Sequence, residues 1–354
     1  MEEKALRLSA VFLMILTAVS FVLLPKLPAL HTWEVEAREE RIAEEEFAQS
    51  QVTMQNLKIK EQNEAAGAKG ELSIRLPEGV TGDQIAVSSD YVTQTIRVEI
   101  PQADRTYFDS YPVLGNSDYI DGLSYTRQGE TGVIEVTTNR VYELQTEYDT
   151  QNFYFNFLTP HEAVSYKVVV IDAGHGGRAV GANKQGINEK DIDLAIVLKL
   201  KEIFDNSDQN IGVYYTRTDD SNPTFDQRVQ LANKSDADLF ISIHNNSTRS
   251  GRMSGTSGTQ VMYDETSEAS RQFAQICLEE VTGRIGSRDK GLVEGDSIYI
   301  IRTSEVPVAL IEVGFMTNKD ELEKLNSDAY QRERASIRQC FAHLKKDTKK
   351  RTKP

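Results

Sequence analysis

Four residues have types and positions suited to hydrolytic chemistry. His175 follows the apolar run VVVIDAG, in a loop with Gly174, Gly176 and Gly177. His244 closes a second such run, DLFISIH; Glu312 interrupts a third, PVALIEVGF; and Glu189 opens the stretch EKDIDLAIVLKLKEIF. Two imidazoles and one carboxylate, with a position left for water, form a catalytic zinc set. A further carboxylate beside such a set can take and give protons. With five histidines and two cysteines in 354 residues, any metal site must be built from His and carboxylates. Each residue also has a structural reading. A His beside Gly can serve loop packing, and Glu189 can be a first-turn acid favoured by the helix dipole. Glu312 can belong to a structural ion pair, because a charge in a buried strand is costly without a partner.

The elements that must position these residues begin at Lys167. Strand-like runs VVVIDAG, IGVYYTR, DLFISIH, TQVMYD, SIYIIR and VALIEVGF alternate with helical stretches at 189–205, 225–235, 267–283 and 329–345. Several runs are nearly all apolar and so read as strands buried on both faces. The spacing predicts an α/β domain over 167–346, with a mixed or mostly parallel sheet flanked by helices. In open α/β sheets the binding crevice lies at the carboxyl ends of the strands. That rule brings His175, His244 and Glu312 to one edge.

The rest of the chain carries no comparable chemistry. Residues 71–158 hold short β-branched and aromatic runs separated by turn residues, the pattern of a small β-sandwich. Residues 33–66 contain no Gly or Pro and sustain no heptad, which predicts a solvated helical stalk. Residues 8–24 are a 17-residue uncharged run, near the lower limit for a membrane span. No small-x-small cleavage site follows, so the run reads as a transmembrane signal anchor. Lys4 and Arg7 then keep residues 1–7 in the cytoplasm, with the remainder on the extracytoplasmic face. Residues 347–354 form a basic tail. Against 40 Lys and Arg stand 54 Asp and Glu, a net charge of −14 that disfavours nucleic acid as a partner.

IDAGHGG, Glu189 ahead of a helix, YYTRTDD followed by QRVQLANKSDADLFISIHNN, and KGLVEGDSIYIIRTSEVPVALIEVGFMTN together resemble a known family. They look like the zinc-dependent N-acetylmuramoyl-L-alanine amidases of bacterial cell-wall turnover. The resemblance covers about half the chain, residues 167–346. It implies Zn2+ held by His175, Glu189 and His244, with Glu312 as catalytic acid–base. It also implies hydrolysis of the amide between the muramic acid lactyl group and L-alanine in peptidoglycan. Arg217, Arg228, Asn233 and Asn246 would then support the fold or the site. The stretch SGRMSGTSG after His244 is too short for the helix that some members insert there to block the metal. Residues 71–158 resemble the AMIN-type β domains found ahead of such amidases, which implies a targeting or wall-binding role. Two other functions fit the same residues: a non-catalytic wall-binding protein on the amidase fold, and a zinc peptidase acting on stem peptides. No activating partner can be named from the sequence.

Overall fold

Helix α1 (Leu27–Ser50) runs through a segment rich in Glu, Ala and Arg, all good helix formers. It stops where Val52 and Thr53 bring β-branched residues. The structure is a computed structural model, and it describes residues 27–61, 69–164, 167–207 and 210–334. The expected stalk over 33–66 is therefore corrected. The helix ends at Ser50, and the chain continues as β1 (Gln55–Asn56) and β2 (Lys60–Glu61). Absence of Gly and Pro permits a helix but does not prevent a strand where neighbouring edges offer hydrogen bonds. Here β1 pairs with one sheet of the following domain and β2 with the other.

That domain contains β3 (Leu72–Arg75), β4 (Ala86–Asp90), β5 (Thr95–Pro101), helix α2 (Arg105–Ser110), β6 (Leu114–Gly115), β7 (Ile120–Gln128), β8 (Thr131–Thr138), β9 (Glu143–Tyr148) and β10 (Asn152–Leu158). Its strands form two five-stranded sheets, ordered β1-β7-β8-β5-β4 and β2-β6-β3-β10-β9. Alternation on β5 sends Ile96, Val98 and Ile100 inward, where they share one core with Leu72, Ile134 and Phe155. Arg97 and Glu99 point outward and pair at 3.0 Å.

Helix α3 (Pro160–Ala163) leads into the second unit. Its elements are β11 (Lys167–Ala173), the ribbon β12 (Asn183–Lys184) and β13 (Ile187–Asn188), α4 (Glu189–Asp205), β14 (Ile211–Tyr215), α5 (Phe225–Lys234), β15 (Leu239–Asn246), β16 (Thr259–Tyr263), α6 (Glu268–Ile285), β17 (Asp289–Glu294), α7 (Tyr299–Arg302), β18 (Val308–Phe315), α8 (Lys319–Leu325) and α9 (Asp328–Arg334). The sheet order is β14-β11-β15-β18-β16-β17. All neighbours are parallel except β16 and β18, so the sheet is mixed. Each face has its own core. Val169, Ile171, Ile241 and Ile243 pack with residues of α4 and α6. Val168, Val170, Phe240 and Leu310 pack with residues of α5 and α7.

Two expectations for this unit change. SIYIIR is not a strand; residues 299–302 form the single turn α7, burying Ile300 and Ile301 together against the α5 side of the sheet. A short apolar run cannot by itself distinguish the two. The strand β17, polar and half-exposed at the sheet edge, had no apolar signature to reveal it. The helix expected over 329–345 is described only through Arg334.

The two units meet through polar bonds and a little apolar surface. Glu143 accepts from Tyr91 Oη at 2.8 Å and Tyr214 Oη at 2.6 Å. His161 Nε2 lies 2.8 Å from the Asp236 carbonyl oxygen, and Val141 is buried among α5-side residues. Among the described residues no helix is long and apolar enough to cross a membrane. The anchor expected at 8–24 and the basic tail at 347–354 lie outside the described residues.

Candidate metal centre

The carboxyl edge of the sheet gathers the expected residues. His244 lies near the carboxyl end of β15 and pairs in register with Glu312 on β18, which sets the two side by side. His175 follows β11, and Glu189 is the first residue of α4. Glu189 Oε1 lies 3.1 Å from His175 Nε2 and 3.3 Å from His244 Nδ1. Tetrahedral zinc with bonds of about 2.0–2.1 Å separates its donor atoms by about 3.3 Å. Glu189 Oε1 stands at about that spacing from both imidazoles, and the ligand atoms of the three residues all lie within 4.8 Å of one another. Two imidazoles with a carboxylate are of the right chemistry, so the residues fit zinc.

The surroundings hold these donors in place. Ala182 N donates to Glu189 Oε2 at 2.8 Å and Asn245 N donates to Oε1 at 3.0 Å. His175 has a φ of +58°, an uncommon conformation for a residue with a side chain. Arg228 and Arg217 pin that loop. Arg228 donates to the His175 carbonyl at 2.7 Å, and Arg217 donates to the Gly174 carbonyl at 2.6 Å. Arg228 is itself held by Asp172 at 2.6 Å, and Asp172 also accepts from Thr216 and Ser242. Two glycines make room. A Cβ on Gly174 would stand 2.6 Å from His244 Nε2. One on Gly181, at φ +63°, would stand 2.6 Å from Glu189 Oε2 and 2.7 Å from His175 Nε2.

Charge points to a cation. Burial disfavours a charged His175, yet the Glu189 and Glu39 carboxylates raise its pKa well above the ordinary histidine value. Burial likewise opposes a charged Glu189, but the two imidazoles hold its pKa well below the ordinary carboxylate range. The carboxylates thus favour positive charge in this pocket. Glu312 behaves in the opposite sense. Burial, followed by repulsion from Glu189, pushes it up to about 8. Its Oε2 is buried and makes no hydrogen bond within the described residues. The cleft above these groups has a volume of about 430 Å³ and is lined by Glu39, His175, Glu189, His244, Asn246 and Glu312, among others.

Comparison with known proteins places this half of the chain. Residues 169–338 match the family described as N-acetylmuramoyl-L-alanine amidase. The uncharacterized protein YqiI of Bacillus subtilis is 38% identical over 180 residues, covering 49% of this chain and 82% of that protein. The chain belongs to the N-acetylmuramoyl-L-alanine amidase family. The amidase CwlM of Bacillus licheniformis is 33% identical over 162 residues, 46% of this chain and 62% of its own length. The crystal structure of the N-acetylmuramoyl-L-alanine amidase from Clostridium difficile 630 is 32% identical, with a TM-score of 0.48, covering 51% of this chain and 98% of that one.

Within the amidase half, all four residues singled out by sequence face one cleft. The supporting residues divide. Arg217 and Arg228 fix the His175 loop, and Asn246, bonded to Gln260 at 3.0 Å, lies on the cleft rim. Asn233 is elsewhere, tying α5 to the Thr303 carbonyl and the Glu305 amide. Sequence reasoning missed three participants. Asp193 lies within 4.8 Å of the donor atoms and accepts from Asn245 at 2.7 Å. Its place one helical turn after Glu189 was the available signal. Asp172, a charge inside a buried strand just as Glu312 is, gave the same signal and was passed over. Glu39, from α1, stands 3.2 Å from His175 Nδ1, and nothing in the sequence announced it.

Proposed function

We propose that the amidase half hydrolyses the amide between N-acetylmuramic acid and L-alanine of peptidoglycan, using zinc held by His175, Glu189 and His244. The observation that carries this reading is the meeting of two imidazoles and one carboxylate oxygen, which stands 3.1 and 3.3 Å from their ring nitrogens, beside a buried Glu312 oxygen with no hydrogen-bond partner among the described residues. When bound, zinc supplies a Lewis acid that acidifies water and polarises the scissile carbonyl.

The chain's own residues do the rest. Glu312 Oε2 takes the proton of the attacking water and returns it to the leaving nitrogen of L-alanine. A general acid–base works best with a pKa near the operating pH, and burial moves Glu312 in that direction. Arg217 and Arg228 hold the backbone of the His175 loop, so the ring does not drift when the proton moves. Residues 71–158 serve as an AMIN-like module that binds wall material. Residues 8–24 tether the chain as a single-pass anchor at the cell membrane, with the amidase half on the extracytoplasmic face.

Product analysis tests the reaction. Purified peptidoglycan digested by the full chain should release intact stem peptides with a free L-alanine amino terminus, leaving glycan strands with unsubstituted lactyl groups. Shortened stems still attached to muramic acid would instead identify a peptidase. No release at all would favour a non-catalytic wall-binding protein.

A further inference from the structure

Helix α1 presents a stripe of carboxylates to the amidase half. Glu36, Glu39, Glu40 and Glu46 recur at helical spacing on one face. Glu36 Oε1 accepts from Tyr299 N at 2.7 Å, and Glu40 Oε2 accepts from Phe225 N at 2.6 Å. Glu46 accepts from Arg178 Nε and Asn222 Nδ2, both at 3.0 Å. These bonds fix the helix along the cleft wall and set Glu39 Oε2 3.2 Å from His175 Nδ1.

We propose that Glu39 is a positioning residue of the metal centre, the carboxylate that α1 delivers to the outer ring nitrogen of His175. The inference rests on the metal reading above. With Nε2 turned toward Glu189, Nδ1 must carry the proton, and a metal-bound histidine almost always donates that proton to an outer carboxylate, carbonyl or water. His175 Nδ1 is buried and makes no well-aligned hydrogen bond within the described residues. Glu39 is the acid beside it. It does not belong to the set of converging donor atoms, so its place is behind the ligand. The His175 loop needs such support. Its backbone is held by two arginines, but Glu39 is the carboxylate on the outer side of the ring. The accepting carboxylate therefore comes from outside residues 169–338, the part that matches the family. Docking of α1 and metal binding then reinforce each other, because coupling between two binding events is reciprocal.

The experiment measures zinc affinity of the full chain by competition with a chelator of known strength. Hydrogen exchange over residues 34–50 is followed with and without zinc. Glu39→Gln should lose about 10- to 100-fold in affinity. Zinc should slow exchange in α1 of the unaltered chain and have little effect on exchange in Glu39→Gln. Glu39→Asp keeps the charge and should recover part of the affinity. Glu46→Gln, which loosens the helix without touching His175, should weaken zinc binding less than Glu39→Gln. Unchanged affinity in both Glu39→Gln and Glu39→Ala would overturn the proposal. So would higher turnover at unchanged affinity, which would make the helix an inhibitory cover. Zinc retained in full by His175→Ala would overturn the metal reading itself, a result separate from either of these.

Discussion

The candidate metal pocket has two sides built by different means. The sheet side rests on parallel strands whose apolar residues are fully buried, with Asp172, Arg228, Thr216 and Ser242 forming a closed polar network beneath the His175 loop. The helix side is held by carboxylates reaching backbone N–H groups and exposed arginine, with Ala43 as the one buried apolar residue over 34–50, where the side chains of α1 are described. Buried strands and a satisfied buried ion pair give rigidity. Partly exposed polar contacts give a docked element that can detach at small cost. The chemistry belongs to the rigid side, and what α1 adds is adjustable.

The largest effect should come from the chemistry. Glu312→Gln preserves shape and removes the proton acceptor, so kcat on purified peptidoglycan should fall by about 10²–10⁴-fold while zinc content and thermal midpoint hold. Near-normal turnover of a zinc-loaded variant would remove Glu312 from the mechanism.

Next comes the foundation of the rigid side. Arg228→Met leaves Asp172 as a buried charge without its partner, a change that typically costs about 3–5 kcal/mol. Denaturant unfolding should register it, and a loss within the range of a surface substitution would mean that the network is not the support described.

Acid should reach the same network. Burial would raise the Asp172 pKa, but Arg228 and the two hydroxyls outweigh it and hold it at about 2, below the ordinary 3.8. Its folded-state pKa is depressed, so its contribution is complete above pH 3.8 and is lost as the pH falls through about 2. Thermal midpoints followed from neutral pH down through this window should decline, and Asp172→Asn should flatten the decline at its lower end.

The helix side should respond least. Arg178 is half exposed and pairs with Glu45 and Glu46. Arg178→Ala should cost no more than about 1 kcal/mol of global stability. It should nevertheless speed hydrogen exchange across residues 34–50. A large global loss would make α1 part of the rigid side and erase the contrast.

The same contrast explains what the sequence disclosed. Strands such as Val168–Ile171 and Leu239–Ile243 are covered on both faces, which demands unbroken apolar runs, and these are visible in one dimension. His175, His244 and Glu312 stand at or near the ends of such runs, so locating the strands located them. Features set by tertiary contact left weaker traces. Residues 299–302 form a turn because two isoleucines fill one gap, and β17 is a strand because an edge was open to it. The α1 carboxylates looked like a solvated acidic face, since nothing in their spacing says which amides they meet.

The central claim is that His175, Glu189 and His244 hold one catalytic zinc. Metal analysis of the purified full chain beside its His175→Ala, His244→Ala double variant tests it most directly. The account predicts one zinc per chain in the first and none in the second, with peptidoglycan hydrolysis lost together with the metal. Full zinc occupancy in the folded double variant would contradict it.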